Sequence, residues 1–397
     1  MAPILIVGAS LAGLSALDAL RAAGHDGEVI VVDAAPELPS DRPPLSKQVL
    51  AGTMEPEAAH QPLANKLAEL DAEIRFSTAA TALDAATRTV TFAGGTEVTA
   101  EGIVLAMGAS PRRLPGGELA GVHVVRTLAD SLALRRDLGA SPNRVAVIGA
   151  GFIGAEVAAT CRGLGLEVTM IEAAPVPMVR VLPSAIGGFV ADVHRDHGVD
   201  VRLGVGVSGL LADGDRVRGV ELADGSVVDA DVVVVGIGVV PSVDWLEGSG
   251  VPVGNGITCD ETCLAAPGIV AAGDVAEWFN PHFGERMRVE QWEHAIEHGA
   301  AAGRRLLAGD DGEPFGSVPW FWSDQYDRKL QMAGRPAADD EVVILDGSVE
   351  ERRFVAGFRR GDRCTGVLGV NRPRHAIQAR MRLVESLDWA PIQDLFT

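Results

Sequence analysis

The chain has 397 residues, 47% hydrophobic and 22% charged, which suits a soluble globular protein of two or three domains. Its formal net charge of −20 argues against nucleic acid and anionic membrane as general partners. No run reaches the ~18 uninterrupted apolar residues of a membrane span, and MAPILIVGAS enters a strand at once instead of opening a signal peptide, which predicts a cytoplasmic protein.

PILIVGASLAGLSALDALRAAG, from residue 3, is a short β-branched run ending in Gly8, followed by a helical pattern. Such a run reads as a buried parallel strand. A second strand, EVIVVD, ends at Asp33, about 20 positions beyond Gly13, as a Rossmann unit requires. Gly8 permits the tight turn and Gly13 lets helix and strand pack closely. N–H groups at the helix start can hold a pyrophosphate, and Asp33 can accept hydrogen bonds from a ribose. Ser10 stands where the middle glycine is usual; its hydroxyl could instead bond a phosphate oxygen.

The second copy, RVAVIGAGFIGAEVAATCRGLGLEVTMIEAA, has Gly149, Gly151 and Gly154 and a strand ending at Glu172. Two copies imply two dinucleotides, and a soluble enzyme with two is expected to move a hydride from nicotinamide to flavin. Glu172 has no adjacent Arg or Lys, which favours NADH over NADPH; Arg180, eight residues on, is the one feature that softens this reading. The four cysteines, Cys161, Cys259, Cys263 and Cys364, form no Cys-x-x-Cys pair and read as ordinary reduced thiols. His294 and His298 are four apart on a helical pattern, but no third ligand is evident and no metal site is predicted.

By these motifs the chain resembles the glutathione-reductase-like flavoprotein reductases. The resemblance is greatest to the NADH-dependent ferredoxin reductases that serve Rieske-type oxygenases and bacterial haem monooxygenases. It runs through DRPPLSK (41–47), GAGFIGAEVA (149–158), HRDHGV (194–199), GIGVVPSVDWL (236–246), IVAAGDVAEW (269–278) and VPWFWSDQYD (318–327). It implies an α/β fold of two Rossmann-like dinucleotide-binding domains, for FAD and NAD, plus a C-terminal α+β domain. The implied bounds are 1–111 and 239–312 for FAD, 112–238 for NADH, and 313–397 for the last domain.

For FAD the resemblance implies Gly8, Ser10, Leu11, Ala12, Gly13 and Asp33 in the first turn, and Arg42 and Lys47 in RPPLSK. Ala80, Ala106, Gly108 and Arg112 are implied from the middle of the chain, and Gly273, Asp274, Glu290, Gln291, Trp292 and Trp322 from the return. Asp274 matches the aspartate that binds the ribityl chain, and Trp322 is the candidate for shielding the flavin ring. For NADH it implies Gly149, Gly151, Phe152, Ile153, Gly154, Glu156, Glu172, Arg180, Gly236, Ile237 and Gly238. Met107 stands where the family usually has Thr, and Ser40 where a tyrosine is common.

Relatives that pass electrons through cysteines keep them early in the first domain, whereas here no cysteine precedes Cys161. Electrons therefore leave the flavin directly. The resemblance implies Lys47 and Glu156 as a catalytic pair beside the flavin, where a lysine stabilises negative charge arriving with the hydride. The expected acceptor is an iron–sulfur ferredoxin, of [2Fe-2S] type. Rubredoxin, a quinone or a small oxidised metabolite is the alternative, as is an apoptosis-inducing-factor-like protein acting through interactions. Residues 300–397 carry 14 Lys+Arg against 15 Asp+Glu, leaving −19 elsewhere. Arg304 and Arg305, Arg328 and Lys329, and then Arg372, Arg374, Arg380 and Arg382 are candidates for docking an acidic carrier. The last four, at intervals of six and eight, are expected to form one basic helix face. The protein is expected to be a monomer or a homodimer.

Overall fold

Ile4–Val7 is buried along its whole length, as a strand is when both sheet faces are covered. It pairs in parallel with Val29–Val32 and Gly102–Leu105. A computed structural model of the chain describes residues 2–140, 142–309 and 311–396, and its contacts divide the chain into two units.

The first unit comprises Met1–Asp41, His60–Ser110 and Val240–Pro319. Its six-stranded sheet runs Leu264–Ala266, Ile269–Ala271, Gly102–Leu105, Ile4–Val7, Val29–Val32, Glu73–Arg75. All neighbours are parallel except the outer hairpin. Helix Leu11–Ala22 meets helix Trp292–Leu307 backbone to backbone. A Cβ on Gly299 would lie 2.1 Å from the Ala12 carbonyl oxygen, and one on Gly303 2.6 Å from that of Ala16. Two glycines one helical turn apart thus set the interaxial distance.

His294 and His298 occupy buried positions on that second helix. His294 stacks on Trp278 at 4.7 Å, and His298 on Phe315 at 5.0 Å and 10°. His298 Nδ1 accepts a hydrogen bond from the Gly273 N–H at 3.3 Å. The pair therefore packs the floor of the Gly273–Val275 turn, which carries Asp274.

The second unit comprises Arg42–Ala59, Pro111–Val239 and Trp320–Thr397. A five-stranded sheet runs Asp200–Leu203, Glu167–Glu172, Arg144–Ile148, Val232–Val235, Val122–His123, all parallel. Segment Arg42–Ala59 is fastened by Leu45, Val49 and Ala59 against Leu128 and Leu132. The Ser131 hydroxyl also donates to the Leu45 carbonyl at 2.7 Å.

The end of the chain forms an antiparallel sheet ordered Trp320–Gln325, Arg328–Gly334, Arg363–Val370, Arg353–Arg360, Glu341–Ser348. Helix Pro373–Glu385 covers it with Ala376, Ala379 and Leu383. Here the expectation of one basic helix face needs correction. Six residues are about one and two-thirds turns, so Arg374 and Arg380 leave different sides. Arg380 lies over the Trp320 ring at 5.2 Å, Arg372 pairs with Asp346 at 2.8 Å, and Arg382 with Glu385 at 2.8 Å. The exposed stripe is instead apolar, made by Ile377, Met381 and Val384. Among the described residues no helix is long and apolar enough to cross a membrane.

Gly299→Val is expected to force the two helices apart and cost about 3 kcal/mol by denaturant unfolding. Gly163→Ala, where a methyl meets nothing within 4 Å, is expected to be neutral or to stabilise by up to about 1 kcal/mol. A second expectation concerns acid. Burial lowers the His294 pKa from 6.5 to about 3 and depresses that of His298. Their neutral forms then contribute fully above about pH 6.5, and that contribution is lost as pH falls toward 3. Between pH 6.5 and 4 the melting temperature should fall more steeply in the parent than in His294→Phe; parallel curves would refute the assignment.

Candidate active site

The two glycine turns are built on one plan. At the first, Gly8 has φ +110°, and a Cβ there would lie 2.4 Å from the Ala106 carbonyl oxygen; one on Gly13 would lie 1.8 Å from the Gly8 carbonyl oxygen. At the second, Gly149 has φ +97° and a Cβ would lie 2.3 Å from the Gly236 carbonyl oxygen, while one on Gly154 would lie 2.0 Å from that of Gly149. Gly8 and Gly149 are required for conformation and for space, Gly13 and Gly154 for space alone. Each closing carboxylate is then held by backbone. Asp33 accepts from the N–H of Ala9 at 2.6 Å and of Ala35 at 2.8 Å. Glu172 accepts from Ala150 at 2.8 Å and Ala174 at 2.9 Å. Carboxylate oxygens keep further acceptor capacity after one such bond.

The middle positions differ. Gly151 caps helix Phe152–Gly163 in extended backbone, and a Cβ there would meet no atom within 4 Å. Protein packing therefore does not require that glycine, and the open space lies at helix N–H groups with no intrahelical partner. Ser10 caps helix Leu11–Ala22, and its Oγ accepts from Gln61 Nε2 at 3.1 Å. Gln61 is 2% exposed, was not read as a site residue from sequence, and carries no motif that could have revealed it. Its Oε1, like that of Gln291, is buried without a partner. Backbone-lined space at a helix start, an oriented carboxylate and orphan acceptors fit a dinucleotide at these turns.

The other candidates from sequence distribute as follows. In the first unit, Leu11 and Ala12 are buried in the first helical turn, Ala106 is buried, and Gly108 has φ +68°. Ala80 opens a strand half-buried. Gly273 has φ +74° and its Cβ would lie 2.9 Å from that of Ala12, which sets Asp274, 7% exposed, close to the same helix start. Glu290 is exposed and pairs with Arg288 at 2.9 Å. Gln291 caps the helix begun by Trp292, whose Nε1 donates to Asp41 at 2.7 Å.

In the second unit, Phe152 is half-buried, Ile153 is exposed, and Gly236 and Ile237 follow a buried strand. Arg180 reaches Gly238, whose added Cβ would be 3.4 Å from the guanidinium. Arg112 is exposed and its N–H donates to the Gly238 carbonyl at 2.9 Å. Arg42 is half-buried, as is Trp322 on strand Trp320–Gln325.

Lys47 and Glu156 are brought together. Glu156 is 4% exposed, and its Oε2 accepts from Lys47 Nζ at 2.8 Å and from the Ser46 hydroxyl at 2.5 Å. Its Oε1 accepts from the Ser323 hydroxyl at 2.9 Å. A buried carboxylate left alone would be costly, and here both oxygens are satisfied. Ser46 is held in turn, since its carbonyl accepts from Thr160 Oγ1 at 2.8 Å. Ser46 and Ser323 were missed from sequence, although both lie inside quoted motifs. All four cysteines are free and buried. Burial pushes Cys161, Cys259 and Cys364 up to about 12 and Cys263 well above its usual value, so they stay protonated thiols and poor nucleophiles.

The chain is similar to known proteins along nearly its whole length. Residues 2–299 match the pyridine nucleotide-disulphide oxidoreductase family and 320–391 the reductase C-terminal family. Rhodocoxin reductase of Rhodococcus erythropolis is 37% identical over 98% of this chain and 91% of its own. The 5,5'-dehydrodivanillate O-demethylase ferredoxin reductase subunit of a Sphingobium species is 38% identical over 96% of this chain and 93% of its own. A solved chain of the covalent putidaredoxin reductase–putidaredoxin complex superposes with TM-score 0.93 at 32% identity, covering 100% of this chain and 95% of that one. The chain belongs to the pyridine nucleotide-disulphide oxidoreductase family, in the glutathione-reductase-like group of FAD- and NAD-dependent ferredoxin reductases.

Proposed function

We propose that this protein transfers electrons from NADH through FAD to a [2Fe-2S] ferredoxin that supplies an oxygenase, and that it works in the cytoplasm. The observation that carries the reading is the buried Lys47–Glu156 pair at 2.8 Å in a chain with two dinucleotide turns and no cysteine before Cys161. Residues 1–111 and 239–312 bind FAD, 112–238 bind NADH, and 313–397 form the C-terminal domain. When bound, FAD takes the two electrons of a hydride from NADH and returns them one at a time.

The protein groups have separate tasks. Asp33 and Glu172, each fixed by two backbone N–H groups, accept from ribose hydroxyls, and Glu172 repels a 2′-phosphate. Lys47 holds positive charge where negative charge develops as hydride arrives. Glu156 keeps that ammonium in place. With no thiol relay, each turnover consumes one NADH and two oxidised ferredoxins and releases one proton.

The carrier docks on the C-terminal domain. Exposed Ile377, Met381 and Val384 lie on a helix that also carries Arg374 and Arg382. An apolar centre with a charged rim is ordinary interface anatomy, and on a protein of net charge −20 local positive charge must offset long-range repulsion from an acidic partner.

Anaerobic NADH should bleach the yellow protein, and adding oxidised ferredoxin should restore its colour; a colourless preparation that cannot be reconstituted with FAD would end the reading. Lys47→Ala should slow flavin reduction by NADH about 10- to 100-fold, measured by stopped flow, and an unchanged rate would remove Lys47 from the chemistry. Ferredoxin reduction should decline as salt rises from low to moderate strength, and a flat response would exclude electrostatic docking.

A further inference from the structure

Glu156 is the inner end of a chain of buried polar groups that the mechanism above does not use. Ser323 and Gln325 are two apart on strand Trp320–Gln325, so they share a face, and both are 0% exposed. Gln325 Nε2 donates to Ser323 Oγ at 3.1 Å, and Ser323 Oγ donates to Glu156 Oε1 at 2.9 Å. Beyond Gln325 lies His194, whose Nδ1 is 2.8 Å from the Tyr326 hydroxyl. Two buried atoms here, His194 Nε2 and Gln325 Oε1, have no hydrogen-bond partner. One can donate and the other accept, and the Gln325 side chain acts on this imidazole.

The directions are coupled. A serine hydroxyl has one proton; with Gln325 N–H pointing at its oxygen, Ser323 turns that proton to Glu156. Gln325 would hold this orientation with its carbonyl turned to a donor, and His194 in the Nε2–H tautomer would supply that donor. That tautomer leaves Nδ1 as an acceptor, for which the Tyr326 O–H is the donor. Reversing the histidine tautomer would flip Gln325 and draw the Ser323 proton away from Glu156. Burial keeps His194 neutral, with its pKa down at about 4, and keeps Tyr326 protonated by raising its own.

Tyr326 is the chain's one tyrosine and sits at φ +56°, a left-handed conformation that is unfavourable for a bulky residue. Its ring stacks on His197 at 3.7 Å and 6°, which holds the hydroxyl against His194. Backbone strain retained together with buried polar groups is a common mark of function.

We propose that Tyr326 and His194 are positioning residues. Through Gln325 and Ser323 they fix the direction of the hydrogen bond on Glu156, and thereby the placement of the Lys47 ammonium. This rests on the reading of Lys47–Glu156 as the catalytic pair.

The test uses FAD-loaded protein in two measurements. In 15N-histidine-labelled protein, NMR should show His194 as the Nε2–H tautomer, and Tyr326→Phe should erode that preference. An Nδ1–H tautomer in the parent would overturn the relay. In anaerobic stopped flow, Tyr326→Phe and Ser323→Ala should each slow flavin reduction about threefold to tenfold without moving the half-saturating NADH concentration, and Ser323→Thr should restore the rate. Adding Tyr326→Phe to Ser323→Ala should slow it no further, because the chain is already cut; additive losses would overturn the proposal. If Glu156→Gln is slow while both relay variants match the parent, only the relay falls. If Glu156→Gln itself matches the parent, the reading of the catalytic pair falls, and the relay's role with it.

Discussion

The second unit depends on how one buried carboxylate is neutralised. Glu156 projects from a helix whose neighbours on the buried face are Ala155, Val157, Ala158 and Ala159, a place where an uncompensated charge would cost several kcal/mol. Its compensation comes from two distant parts of the chain: Ser46 and Lys47 from the segment after Asp41, and Ser323 from the strand that opens the final sheet. Each donor is thereby fixed relative to the glycine turn five residues or so before Glu156. The prolines of RPPLSK limit the segment's freedom, and Ser131 and Thr160 anchor its backbone. The ammonium is thus held in one place at reduced entropic cost, as electrostatic preorganisation requires.

The two glycine turns pose a second constraint. Their backbones cross so closely that the first and last glycines are needed whether or not anything binds. The ligand's imprint is therefore clearest at the middle position, where Gly151 has open space beside it. The first turn carries a serine there and recruits Gln61 instead. Asp33 and Glu172 differ by one methylene yet engage the same pair of backbone groups, so the turn selects the carboxylate and tolerates the change in reach.

The parallel sheets, both turns and their acidic ends were legible because each follows from a local pattern: a β-branched run, a glycine and a carboxylate at fixed spacing. Lys47 and Glu156 were legible through a motif resemblance, since nothing local joins positions 109 apart. What stayed hidden depends on tertiary pairing. Gln61 lies in QPLANK, a stretch without periodicity, and Ser46, Ser323 and Gln325 are small or neutral groups whose importance comes only from what they face. Nothing local in HGAAAG shows that its two glycines set a helix–helix distance. The arginines near the end misled because spacing in sequence was taken for a common face; the helical angle and individual partners separate them.

The cysteines carry the argument one step further. Cys161 is on the same helix as Glu156, five residues on. That is about 140° around the axis, and its thiol is fully buried with its pKa pushed up to about 12. The thiol nearest to Glu156 in sequence is thus turned away and chemically quiet. A reductase of this design needs no covalent exchange with its acceptor, only close approach. Discrimination among acceptors then falls to the surface. On the proposed docking face a chain of net charge −20 offers an apolar stripe flanked by arginines, so that a partner's charge pattern, and not a reactive group, would decide which carrier is served.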